Sequence, residues 1–160
     1  ATRSASFQET DLGSLSQSVT ADHVPLAAEA GIDLGFEGGG KLMITGEPLL
    51  LAELLKNLVA NGLLYAGRGA DLTVRVRREG VEAILEVEDN GPGIPPERRD
   101  SVLQRFDRGT RADSSGSGLG LPIVEEIAEL HHARLELLDG AGGHGLCVRI
   151  RFPLLGDHAE

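Results

Sequence analysis

The sequence predicts an α+β fold, a two-layer α/β sandwich in which a mixed, mostly antiparallel sheet carries helices on one face. Three observations predict it. Residues 72–76, 81–87 and 146–152 alternate apolar and polar side chains, the period of a strand with one buried face. The stretch 47–66 is apolar nearly all round, as a helix in the interior is. Of the 160 residues, 46 are Leu, Ile, Val or Phe, a share well above the ~20% below which disorder is expected.

Residues 1–10 are polar and read as a frayed linker. Asp11 caps a helix over roughly 12–30 with Leu12, Leu15, Val19, Leu26 and Ala27 on its buried side. Pro25 demands a kink or a break in it, and Gly31 ends it. Ile32–Phe36 and Leu42–Thr45 read as short strands joined in a hairpin by Glu37-Gly38-Gly39-Gly40. The helix 47–66 follows and stops near Gly67. Two strands come next, with Leu72, Val74 and Val76 and then Ala83, Leu85 and Val87 facing inward around the Glu79-Gly80 turn. Residues 90–117 are rich in Gly, Pro, Ser, Asp and Arg, with room for only a short helix over Pro96–Phe106. Irregular segments beyond ~12–15 residues are uncommon in compact domains and are usually a lid or disordered. Flanked by two glycine motifs, this one is read as a lid. A helix over about 118–132 offers Ile123, Val124, Ile127, Ala128 and Leu130 to the core, and strands at 133–139 and 145–152 complete the sheet.

Composition narrows the function. A net charge of −10 argues against a nucleic-acid partner. A single cysteine excludes an internal disulfide, and no Cys/His spacing resembles a zinc site. No apolar run approaches the ~18 residues of a membrane helix, and no signal-peptide pattern is present. The chain reads as a cytoplasmic fragment of a longer protein, without direct membrane contact of its own.

Three segments carry candidate chemistry. Glu53, Asn57 and Asn61 recur every four residues and share one helix face. Either the face is solvated, or amide oxygens are needed there as hard ligands for a Mg²⁺ that holds phosphates. Asp89 falls on the inward parity of its strand and is followed by Asn90-Gly91-Pro92-Gly93-Ile94-Pro95. It is either a turn-capping Asp or a buried carboxylate that accepts from an exocyclic amine and so selects adenine over guanine. Gly116-Ser117-Gly118-Leu119-Gly120-Leu121-Pro122 opens a helix, where bare backbone N–H groups make an anion site. Between the last two lie Arg98, Arg99, Arg105, Arg108 and Arg111, either a solvated charged loop or lid cations for phosphates.

In this order the segments resemble the ATP-binding catalytic domain of sensor histidine kinases, a Bergerat fold of the GHKL superfamily. Leu54–Tyr65 resembles the N box, Glu88–Pro95 the first glycine box, Phe106-Asp107-Arg108-Gly109 the F box, and Gly116–Leu121 the second glycine box. The resemblance covers about residues 10–153. It implies a catalytic domain over 11–153 with an ATP lid at about 97–117, a linker at 1–10 from a preceding dimerisation domain, and a tail at 154–160. It implies ATP and Mg²⁺ as cofactors, with Asn61 as metal ligand and Asn57 lining the same site. Asp89 would bind the adenine amino group with Tyr65 beside the base, and Gly91, Gly93 and Ile94 would shape the base pocket. Arg108, helped by Arg105, would reach the terminal phosphates, and Gly116, Gly118, Leu119 and Gly120 would serve lid closure and phosphate contact. Asn61 and Arg108 are the catalytic candidates.

Two positions depart from the family pattern. Gly62 stands where Ala is usual, and Leu64 where Lys or Arg is usual, so one phosphate-neutralising cation is missing. The implied reaction donates the γ-phosphoryl group to a histidine on a dimerisation domain outside this chain, for relay to a response regulator. His23, His131, His132, His144 and His158 lack the acceptor context and read as surface or strand-edge histidines. The implied parent is a homodimer anchored in the membrane, and this piece a monomer. Other readings remain: a degenerate nucleotide-binding module without phosphotransfer, which Leu64 supports, or an anti-sigma-factor-type serine kinase. The ATP-hydrolysing branch of the superfamily needs a carboxylate base where this chain has Asn57, so intrinsic hydrolysis should be poor.

Overall fold

The computed structural model describes residues 6–91 and 121–156. Its elements in chain order are β1 (Gln8–Asp11), α1 (Leu12–Asp22), α2 (Val24–Ala30), β2 (Asp33–Glu37), β3 (Met43–Gly46), α3 (Pro48–Tyr65), β4 (Asp71–Glu79), β5 (Glu82–Asp89), α4 (Leu121–Leu130), β6 (Arg134–Asp139) and β7 (Leu146–Pro153). Five strands form one sheet in the order β2-β4-β5-β7-β6. β2 runs parallel to β4 and every other pairing is antiparallel. The helices pack on one face, so the predicted two-layer α+β architecture is the observed one.

The predicted hairpin of residues 32–45 does not form. β2 joins the large sheet beside β4. β3 instead pairs antiparallel with β1 in a separate two-stranded sheet, with Gln8 opposite Gly46 and Asp11 opposite Met43. The sequence showed no partner for β3 because Gln8–Asp11 lacks an apolar alternation, and only Thr10 of these four residues is buried. Asp11 does cap α1, accepting from the Gly13 N–H at 3.1 Å. It also accepts from the Leu42 N–H at 3.2 Å, which ties the strand entering β3 to the start of the helix.

Pro25 produces a full break. α1 ends at His23, and α2 begins anew with Pro25 in its first turn. The break shifts the helical phase, so Leu26 points outward while Ala27 is buried. Gly31 ends α2 with φ 74°, as an αL cap does. α3 is capped by Glu47, whose carboxylate accepts from the Leu49 N–H at 3.0 Å. Leu51, Leu54, Leu55, Leu58 and Val59 are fully or almost fully buried. Leu49 and Leu64 lie on the solvent stripe of the helix. On α4, Val124, Ile127 and Ala128 enter the core and Ile123 and Leu130 do not.

The sheet face away from the helices is charged. Glu86, only 3% exposed, receives Arg75 at 2.8 Å, Arg149 at 2.7 Å and Arg77 at 3.1 Å. Arg151 engages Glu79, Glu82 and Glu136. Arginine stems thereby cover the apolar part of this face while their heads stay at the solvent edge. The single cysteine, Cys147, lies buried on the same face opposite Glu88. Burial, with Glu86 and Glu88 nearby, pushes its thiol up to about 12.

His131 is not a surface histidine. It is 3% exposed and joins three elements. Its Nε2 accepts from the Glu47 N–H at 3.0 Å, so its Nδ1 carries the proton that is given to the Ile127 carbonyl at 2.8 Å. Its ring also meets Phe7 and, edge-on, Phe152.

Candidate functional site

α3 delivers Asn57, Asn61 and Tyr65 from its last three turns. Successive steps of four residues put them along one face. Asn57 and Asn61 are half-buried and Tyr65 is exposed. Asn57 gives its amide N–H to the Glu53 carbonyl at 2.8 Å and approaches the Glu53 carboxylate at 3.3 Å. The donor half of this side chain is therefore held within the helix, leaving its carbonyl oxygen as the group free for a ligand.

β5 delivers Asp89. It lies directly across from Leu72 on the helix-covered face, as its parity predicted. The Asp89 carboxylate accepts from the Gly91 N–H at 2.7 Å and from the Leu146 N–H. Burial raises its pKa above the usual carboxylate range, and these two donors and the Glu88 charge alter that rise without reversing it. Asn90 turns the other way: its Oδ1 accepts from the Asp71 N–H at 2.8 Å and latches the end of β5 to the start of β4.

Close packing brings the two halves together. A side chain at Gly62 would meet Leu72 Cδ1 at 2.5 Å, so α3 sits directly on the β4 residue that opposes Asp89. A Cβ at Gly91 would overlap the Ala66 carbonyl at the end of α3. Asn61 and Asp89 therefore flank one end of the molecule. The 490 Å³ cavity lined by Phe7, Thr45, His131 and Leu154 lies at the other end of α3 and holds none of the predicted site residues. Gly93, Ile94, Arg105, Arg108, Gly116, Gly118, Leu119 and Gly120, with the predicted lid, lie outside the described residues.

The β6–β7 loop also borders Asp89, which the sequence reading did not anticipate. Gly140 and Gly145 both press on the Asp89 carbonyl, where a Cβ on either would collide. Gly145 also has φ 81°, which favours glycine. The clustered glycines of 140–145 were the available signal.

Among the described residues no group of three or more His, Cys, Asp or Glu side chains is placed to hold a metal. A lone amide oxygen such as that of Asn61 fits a cation that takes most of its ligands from water and phosphate, as Mg²⁺ does.

Residues 46–156 match the family model described as histidine kinase-, DNA gyrase B-, and HSP90-like ATPase. The chain belongs to this ATPase family. It is 35% identical to the sensor protein kinase PmrB of Pseudomonas aeruginosa over 148 residues, which is 92% of this chain and 31% of that protein. It is 37% identical to the sensor protein QseC of Salmonella typhi over 145 residues, 88% of this chain and 31% of that protein. The chain thus spans about a third of the length of these curated relatives. The fold is that of the catalytic domain of the histidine kinase ThkA, with a TM-score of 0.81 at 23% identity over 92% of this chain and 95% of that one.

Membership of this ATPase family implies ATP binding, and the two departures noted in the sequence acquire physical content. Gly62 is set by Leu72, which fills the volume that an alanine methyl would need. Leu64 is 67% exposed among the described residues. Nothing in the structure explains why a cation was given up there.

Proposed function

We propose that this domain binds Mg-ATP and donates its γ-phosphoryl group to a histidine on a dimerisation domain of the same protein, from which a response regulator takes it. The observation that carries the reading is that the end of α3 bearing Asn57 and Asn61 packs, at Gly62 and Ala66, on Leu72 and Gly91, the neighbours of the half-buried Asp89. The Asp89 carboxylate accepts from the adenine amino group. A guanine carbonyl at that edge would face it oxygen to oxygen. The Asn61 amide oxygen would hold a Mg²⁺ that neutralises phosphate charge, and Asn57 would line the same site. As the family resemblance implies, Arg108, helped by Arg105, would neutralise the terminal phosphates, and Gly116, Gly118, Leu119 and Gly120 would serve phosphate contact.

Phosphoryl transfer rests on positioning and charge stabilisation, so this chain needs no nucleophile of its own. The imidazole nitrogen of the partner domain forms the bond to the γ-phosphorus as the bond to the β–γ bridging oxygen breaks, releasing ADP. On this reading the parent is a dimeric, membrane-anchored sensor whose kinase domain faces the cytoplasm.

Transfer of label from γ-labelled ATP to a supplied acceptor-helix domain tests the reaction. Labelled acceptor histidine is expected, and tight nucleotide binding without transfer overturns it in favour of a sensing module. Asn61→Ala should weaken magnesium-dependent ATP binding by about 1–3 kcal/mol. Unchanged magnesium dependence in calorimetry removes the metal assignment.

A further inference from the structure

Glu88 precedes the adenine-reading carboxylate in sequence but points to the opposite face of β5, where its two oxygens do different things. Oε1 receives Arg75 at 3.1 Å, within the charged network of the outer face. Oε2 accepts from the Ala141 N–H at 2.6 Å, at the start of the β6–β7 loop. That loop is the one whose Gly140 and Gly145 press on the Asp89 carbonyl, and the residue that ends it, Leu146, gives its N–H to the Asp89 carboxylate. The chain of contacts is continuous: Arg75, Glu88, Ala141, the glycine turn, Leu146, Asp89.

We infer that Glu88 is a positioning residue for nucleotide selection: by holding the Ala141 N–H it fixes the β6–β7 loop, and through Gly145 and Leu146 that loop aims the Asp89 carboxylate. The inference rests on the reading of Asp89 as the adenine acceptor. Without the tether, the loop glycines are free to rotate, and the Leu146 N–H no longer orients the carboxylate. The base-specific part of binding then falls while the phosphate part stays.

The tether has two ends, and each can be cut alone. Glu88→Ala removes the acceptor. Ala141→Pro removes the donor and leaves Glu88 paired with Arg75. Proline is tolerated in a first helical turn, and Gly140 at φ −70°, ψ 174° already has the extended conformation required before proline. Glu88→Gln keeps an oxygen that accepts from Ala141. Affinities for ATP and GTP are measured by calorimetry for these three, for Asp89→Asn and for the parent, with thermal midpoints recorded alongside. Glu88→Ala and Ala141→Pro should each lose about tenfold in ATP affinity, or 1.4 kcal/mol, and lose the preference for ATP over GTP. Glu88→Gln should stay within about twofold of the parent. Parental preference in Ala141→Pro overturns the inference, as does a loss in Glu88→Gln equal to that in Glu88→Ala, since Arg75 would then be the partner that counts. If Asp89→Asn loses adenine preference while both tether variants keep it, the inference fails and the reading of Asp89 stands. If Asp89→Asn binds as the parent does, that reading itself fails.

Discussion

Asp89 sits in a conflict between burial, which favours its neutral form, and two backbone donors, which favour its charged form. The conflict is left in favour of the proton, and that has a functional sign. A carboxyl whose folded pKa is raised is protonated over a pH range in which a free aspartate is ionised. Its contribution to stability is present at low pH and is lost as pH rises through the raised value. Ligand binding runs the opposite way, because only the ionised group offers the full acceptor to an adenine amine. ATP affinity should therefore fall as pH drops through the raised pKa, and ATP binding should take up fewer protons than GTP binding does. Calorimetry in buffers of different ionisation enthalpy reads this directly, and the profile of Asp89→Asn should lose the step. Gly62 makes a second point at this scale. Gly62→Ala should destabilise the domain by about 1–3 kcal/mol in urea unfolding, as overpacking does, because its methyl meets the fully buried Leu72. Leu72→Val in the same chain should recover part of that loss.

At the scale of elements, the sheet shows what alternation reveals and what it hides. Leu72, Val74 and Val76, and Ala83, Leu85 and Val87, went to the core as their period said. The intervening Arg75, Arg77, Glu86 and Glu88 were legible as polar, but not as a lattice centred on a buried Glu86, because cross-strand register is absent from a one-dimensional pattern. Burial alone would raise the Glu86 carboxyl. Hydrogen bonds from Arg75, Arg149 and Arg77 overcome it and hold the group below its usual range. Glu86→Ala should cost about 1–3 kcal/mol in chemical unfolding, since three arginines lose their common partner. The lowered pKa means that this stabilisation is complete above the ordinary carboxylate range and disappears as pH falls through the lowered value. The unformed hairpin is the converse case. Glycines between two short apolar runs carry a local turn signal, and the pairing that won is long-range, with β2 taken by β4 and β3 by β1.

For the whole molecule, His131 is the joint. It connects the end of α4 to the entry of α3 and packs on Phe7 and Phe152, so one side chain binds the helical layer to both chain extremities of the described fold. Burial lowers its pKa against the opposing pull of the Ile127 carbonyl and of Glu47, with His132 adding to the lowering. The unfolded chain thus takes up a proton near pH 6.5 that the folded chain refuses. Stability should be full above that pH and should decline below it, by at most about 1.4 kcal/mol per pH unit for this one group. The difference between the parent and His131→Asn, followed by urea midpoints from pH 7.5 to 5.5, isolates the effect. Sequence alone showed two adjacent histidines after a helix, which is the pattern of an exposed helix end, and His132 does lie exposed there with φ 58°. What the chain order could not show was that Glu47, 84 residues earlier, would bring its N–H to the first of the two. The candidate site was legible for a related reason. Asn57, Asn61 and Asp89 announce themselves through local period and parity, whereas Glu88, Gly140 and Gly145 act through contacts that only the folded chain creates.

Cys147 has a practical consequence for experiments on this domain. Its thiol is sealed beneath the outer-face arginines and keeps its proton far above neutral pH, so maleimide or iodoacetamide reagents should pass it by under native conditions. A cysteine introduced at an exposed position such as Leu64 would then be the single reactive handle, and a dye could be attached there without first removing the native sulfur.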